Sequence, residues 1–181
     1  MKEKILTKSL VYELGLDKVS VITSEMLDGY TTIGCSAFIC CYSLTSIEIP
    51  NSVTSIGSYA FLGCLKLASI TIGGKTYEKQ TIIINGKCKA CKAYKAFRGD
   101  MTCRDFQYEE GKTYEYKGKP KLCEEGFHAS LNLSDVFNYY YGEFGKNIVV
   151  HEVKLEGVSA ERNGLDSKIV AKKITIGKRI L

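Results

Sequence analysis

Apolar and polar residues alternate along Leu44-Thr45-Ser46-Ile47-Glu48-Ile49, and Pro50-Asn51-Ser52 stops the run, because proline brings no ladder donor. The pattern predicts a half-buried strand followed by a turn. It returns 23 positions later, with Leu67, Ser69, Ile70 and Ile72 in the places of Leu44, Ser46, Ile47 and Ile49. The turn ahead of it returns as well: Ile33-Gly34-Cys35-Ser36-Ala37-Phe38 becomes Ile56-Gly57-Ser58-Tyr59-Ala60-Phe61, and Cys41 becomes Cys64. One such unit cannot bury its own apolar face, so neighbouring units must stack and share a core. Stacking predicts ladders of Phe38 on Phe61, Leu44 on Leu67, and Ile47 and Ile49 on Ile70 and Ile72. Cys41 and Cys64 form a further rung, read as small apolar residues, with a disulfide or a metal pair as the alternative.

The flanks extend the pattern. Residues 4–16 place Ile5, Leu6, Leu10, Val11 and Leu14 on one side of a short helix that Gly15 ends. Lys18 to Thr23 alternates like a strand. Tyr30 and Thr32 fall 23 positions before Val53 and Ser55, which suggests a degenerate leading repeat. Residues 1–32 are therefore expected to cap the stack, 33–74 to form two repeats, and 75–92 to form a capping hairpin and linker with Asn85-Gly86 at a turn. Beyond this point Ser, Thr and Ile give way to Lys, Tyr and Glu. Strands are expected over 93–97, over 106–108 paired with 111–116, near 122–129, over 147–155 and over 168–176. A helix capped by Ser130 or Asn132 is expected through Val136, Phe137 and Tyr140. The predicted class is α+β, a short capped leucine-rich solenoid followed by a small α+β domain over 93–181.

The segments IGCSAFICCYSLTSIEIPNSVTSIG and IGSYAFLGCLKLASITIGG resemble the leucine-rich repeats of the BspA-like class. That resemblance implies a protein-binding face, often on secreted bacterial or protozoan proteins. The strings KAYKAF, TCRDFQYEEGKTYE, LCEEGFHAS, DVFNYY and DSKIVAKKITIG resemble an uncharacterised domain of bacteriophage and bacterial genomes. This second resemblance implies a phage or bacterial source and brings no catalytic residues with it.

Composition narrows the function. The chain has 181 residues, 45% hydrophobic and 25% charged, with a net charge of +5, which is ordinary for a soluble protein. Its lysines are spread among acidic residues, with no basic block and interleaved aromatics of the kind nucleic acid needs. No run reaches the length of a membrane span. The first ten residues lack the apolar core of a signal peptide. With eight cysteines, that points to reduced thiols in the cytoplasm.

Three groups of residues could carry function. The outward positions of the repeat strands, Thr45, Glu48, Ala68 and Thr71, are the expected protein-binding face. Cys88 and Cys91, spaced as a knuckle, could hold zinc with Cys103 and Cys123. However, the 19 residues between the latter two match no recurring finger, so no metal or cofactor is expected. Finally, a strand ending in Gly126-Phe127-His128-Ala129-Ser130 before an aromatic helix is weakly similar to ADP-ribosyltransferases. That similarity implies an NAD-handling site of His128, Tyr94, Arg98 and Glu152. The leading expectation is a non-catalytic protein-interaction module, and the NAD-handling domain in 93–181 is the alternative.

Overall fold

The fold is seen in a computed structural model that describes residues 3–79, 90–139, 148–159 and 166–181. The chain forms two compact units, residues 1–79 with 137–147, and residues 80–136 with 148–181.

In the first unit the strands are short and stack in parallel. They are β1 (Ile5–Leu6), β2 (Val21–Ile22), β3 (Thr32–Ile33), β4 (Ser46–Ile49), β5 (Ser55–Ile56), β6 (Ser69–Ile72) and β7 (Lys75–Glu78). One sheet runs β1-β3-β5 and the other β2-β4-β6-β7. The 23-residue period is the register itself: Thr32 faces Ser55, Ser46 faces Ser69, and Ile49 faces Ile72. Side-chain period 2 then sends Ile47, Ile49, Ile70 and Ile72 inward with Leu44 and Leu67, all buried. The Phe38 and Phe61 rings stack 5.7 Å apart. Phe61 also meets the edge of Phe137 at 6.0 Å, and Phe137 accepts the Tyr59 N–H through its carbonyl at 2.9 Å. β7 turns back antiparallel on β6. Gly73 and Gly74, at φ +57° and +74°, supply the two left-handed positions of a tight hairpin that matches strand twist.

The helix expected over 4–16 is corrected. Ile5 and Leu6 are a strand paired with β3, and only α1 (Lys8–Glu13) is helical, capped by the Thr7 hydroxyl. An apolar spacing over a dozen residues fits one short strand and one short helix as well as it fits a single helix. The expected leading repeat does pair as a repeat, through Thr32 and Ile33 on Ser55 and Ile56.

The second unit comprises β8 (Ala90–Arg98), β9 (Thr102–Cys103), β10 (Phe106–Gln107), β11 (Thr113–Glu115), β12 (Phe127–Ser130), α2 (Leu133–Val136), β13 (Ile148–Ser159) and β14 (Lys168–Arg179). β14 pairs with β13 along one edge and with β12 and then β11 along the other. β13 pairs on its far side with β8, and one bridge between Ser130 and Tyr94 closes the ring. All of these pairings are antiparallel. Inside lie Cys91, Ala93, Phe97, Ala129, Leu131, Val153, Leu155, Ile169, Ala171, Ile174 and Ile176, the inward members of each alternating strand.

The predicted class is therefore corrected to largely β. Strand accounts for 42% of the described residues and helix for 10%. The expected helix through Val136 is a single turn, continued by a 3-10 turn over Phe137–Tyr139, and Tyr140 lies outside the described residues. The second half is not an α+β domain because its long strands close on one another and leave no sheet face for helices to cover. Pairing is also corrected, since β10 pairs with β9 and β11 with β14. The turn at Asn85-Gly86 lies outside the described residues. Among those described, no helix is long and apolar enough to cross a membrane.

Candidate functional site

The repeat face is built by register. Glu48 lies directly opposite Thr71, and Thr71 opposite Thr76, with the two threonine hydroxyls 2.9 Å apart. Ser46 and Ser69 form the neighbouring row, and Val21, 49% exposed, faces Ser46 at the sheet's edge. The result is a strip of mostly short side chains with the exposed carboxylate of Glu48 at its middle and that of Glu78 opposite Ser69. Thr45 and Ala68 sit one residue ahead of the strands. The Thr45 hydroxyl donates to the Ser20 carbonyl at 2.8 Å, and the Thr45 carbonyl accepts the Ala68 N–H at 2.8 Å. These two residues join successive coils, and Ser46 and Ser69 complete the strip. Alternation counted from Ile47 and Ile70 would have placed those serines outward.

In the second unit the potential chemistry gathers around Lys95. Its neighbours Ala93 and Phe97 face the core, so strand parity drives the lysine inward too, and it is only 7% exposed. Its ammonium donates to the His128 carbonyl at 3.0 Å and lies 5.6 Å and 5.8 Å from the Phe97 and Tyr108 ring centroids. Burial holds the Lys95 amine below the ordinary lysine range, against a hydrogen bond with Cys103 that favours the charged form. Lys95 was not among the candidates read from sequence. The available signal was a lysine at an inward position of an otherwise apolar alternation.

His128 is pushed down to about 4, by burial first and then by Lys168 and Lys95. Its Nε2 accepts the Cys123 N–H at 2.8 Å, and a ring hydrogen bond reaches the backbone at Gly126. Both ring nitrogens are thus engaged in holding the 123–128 turn, so the imidazole is neutral and its lone pair is occupied. The other residues of the NAD-handling alternative are spread along the ring. Tyr94 is buried and paired with Glu152 across the ladder. Arg98 donates to the Arg104 carbonyl at 3.2 Å, and Glu152 is ion-paired with Lys92 at 2.9 Å. A shallow concavity of about 350 Å³ is lined by Cys91, Lys92, Glu152, Val153, Lys154, Thr175 and Gly177. Of the four candidates only Glu152 lines it.

The zinc alternative places Cys91 in the core opposite Leu155, Cys103 on β9 against the same core, and Cys123 exposed at a turn. Cys88 lies outside the described residues. Among those described, no group of three or more His, Cys, Asp or Glu is arranged to hold a metal ion.

Comparison with known families accounts for both units. Residues 91–181, half of the chain, match the model of a domain of unknown function, DUF7666. The chain belongs to this family. The DUF7666 match covers the closed strand ring, and the model of a BspA-type leucine-rich repeat region matches residues 17–98 and covers the stacked coils from residue 17 onward. The repeat match begins at residue 17, so the strand at Val21–Ile22 falls within it. It also runs across β8, whose partners are β12 and β13. No curated protein and no solved structure matches the chain.

Proposed function

We propose that this chain is a non-catalytic protein-interaction module whose repeats supply the binding face. The observation that carries this reading is the strip centred on Glu48 and Thr71, held in register above the buried Ile47–Ile70 and Ile49–Ile72 rungs. A preformed face of short side chains loses little conformational freedom on binding, and it leaves the partner's side chains room to approach. With Glu48 and the exposed Glu78 on this sheet, the fitting partner offers a basic residue beside an apolar one that meets Val21. A reducing compartment suits the reading, since Cys35, Cys40, Cys41, Cys64, Cys91, Cys103 and Cys123 are all free thiols. The phage or bacterial source belongs to the same reading and rests on the sequence strings of the second unit.

The test is capture of partner proteins by immobilised chain, with wild type beside Glu48→Lys and Thr71→Arg. Specific capture lost in both variants, with unchanged thermal unfolding, supports the face. Equal capture by all three removes it.

A further inference from the structure

We infer that Cys41 and Cys64 are an oxidant-sensitive pair that closes a disulfide between consecutive repeats. The two occupy the same place in successive coils. Each N–H donates to the phenylalanine carbonyl three residues back, Cys41 to Phe38 at 3.2 Å and Cys64 to Phe61 at 3.1 Å. The turns carrying them are bonded directly to each other, through Phe38 N–H to Ala60 carbonyl and Cys40 N–H to Leu62 carbonyl, both at 2.8 Å. Backbones joined by such bonds run about 4.8 Å apart, within the Cα separation of about 4.4–6.8 Å that a disulfide spans.

The Cys64 thiol donates to the Phe38 carbonyl at 2.9 Å, the same carbonyl that takes the Cys41 N–H, so the Cys64 side chain reaches across to the coil that carries Cys41. The two thiols are unequal. The neighbouring Cys64 thiol holds Cys41 below the usual thiol range, while Cys64 retains its proton, raised by Cys41 and by burial. One member of the pair is prepared to be a nucleophile and the other to resolve.

At 3% and 8% exposure the pair suits a small oxidant, hydrogen peroxide. The Cys41 thiolate attacks one peroxide oxygen: an S–O bond forms, the O–O bond breaks, and the departing hydroxide takes a proton to become water. Cys64 then attacks the Cys41 sulfenic sulfur. The S–S bond forms, the S–O bond breaks, and the leaving hydroxide removes the Cys64 proton as a second water. Two thiols and one peroxide thus give one disulfide and two waters, and a thiol reductant reverses the change. The consequence is a covalent link between coils that are otherwise joined by hydrogen bonds and packing.

The experiment treats the reduced full chain with peroxide, blocks remaining thiols, and cleaves after Glu48, which separates Cys41 from Cys64. The expected result is that the two fragments stay joined until reductant is added, and that Cys41→Ser and Cys64→Ser each abolish the join. The double variant Cys35→Ser/Cys40→Ser, which alters only exposed thiols, is expected to keep it. Fragments that separate in wild type, or a join lost in the double variant, overturn the inference whether or not the buried variants fold.

Discussion

The Phe38 and Phe61 rings lie 5.7 Å apart and 3° from parallel, each the other's equivalent in successive repeats. Both are almost fully buried, so this contact is where one coil's core becomes the next coil's core. Phe61→Ala is expected to cost about 3–5 kcal/mol, the usual range for emptying a buried aromatic site. Phe38→Ala should cost a similar amount. The double variant should recover about 0.5–1.5 kcal/mol relative to the sum, the coupling of an aromatic pair. Denaturant unfolding of the four proteins measures all three terms.

The repeated Ile-Gly dipeptide has a steric cause. A Cβ at Gly57 would stand 2.5 Å from the Cys35 backbone nitrogen, and one at Gly34 would stand 2.9 Å from the Leu6 carbonyl oxygen. Each glycine therefore marks where its coil lies against the backbone of the one before. Gly57→Ala is expected to lower stability by about 3 kcal/mol, the upper end for overpacking, because backbone cannot move aside as a side chain can. Ser58→Ala alters the next residue without this clash and serves as the control. Unfolding midpoints of the two variants check the difference.

The repeats were legible because one number, the 23-residue period, fixed register, rungs and outward face together. Glu48 opposite Thr71 follows from it directly. Thr45 and Ala68 lie one residue ahead of the strands, where successive coils are bonded to each other, with Ala68 exposed and Thr45 half-buried. The second unit was legible strand by strand but not as a class. Its closure depends on β14 pairing along both edges and on a single Ser130–Tyr94 bridge, and periodicity carries no information about which strands meet. The inward lysine at 95 shows the same limit, since strand parity names its side and only closure makes that side a core.

Lys95 is a test of how a buried amine is carried. Its stem fills core volume beside Phe97 and Tyr108, while its desolvated head gains one carbonyl partner at 3.0 Å. Lys95→Met keeps most of the volume and removes the ionisable group, so its stability is expected to match or exceed wild type, as replacements of buried charge often do. Lys95→Ala removes the packing too and should cost about 2–4 kcal/mol. Chemical unfolding of the two variants decides this, and a Met variant as unstable as the Ala variant would mean that the amine's hydrogen bonds outweigh its desolvation.

His128 sets a pH dependence whose sign is fixed. Its folded value is about 4 against an ordinary 6.5, so between these values the unfolded chain takes up a proton that the folded chain refuses. The contribution is fully present above pH 6.5 and is lost as the pH falls through that window. Protonation also turns Nε2 from an acceptor into a donor facing the Cys123 N–H, which opens the 123–128 turn. The unfolding midpoint of wild type should therefore fall between pH 6.5 and 4. His128→Gln keeps an acceptor on the side chain and does not titrate, so its midpoint should fall less over the same range. Parallel slopes for the two proteins would assign the acid sensitivity to carboxylates elsewhere in the fold.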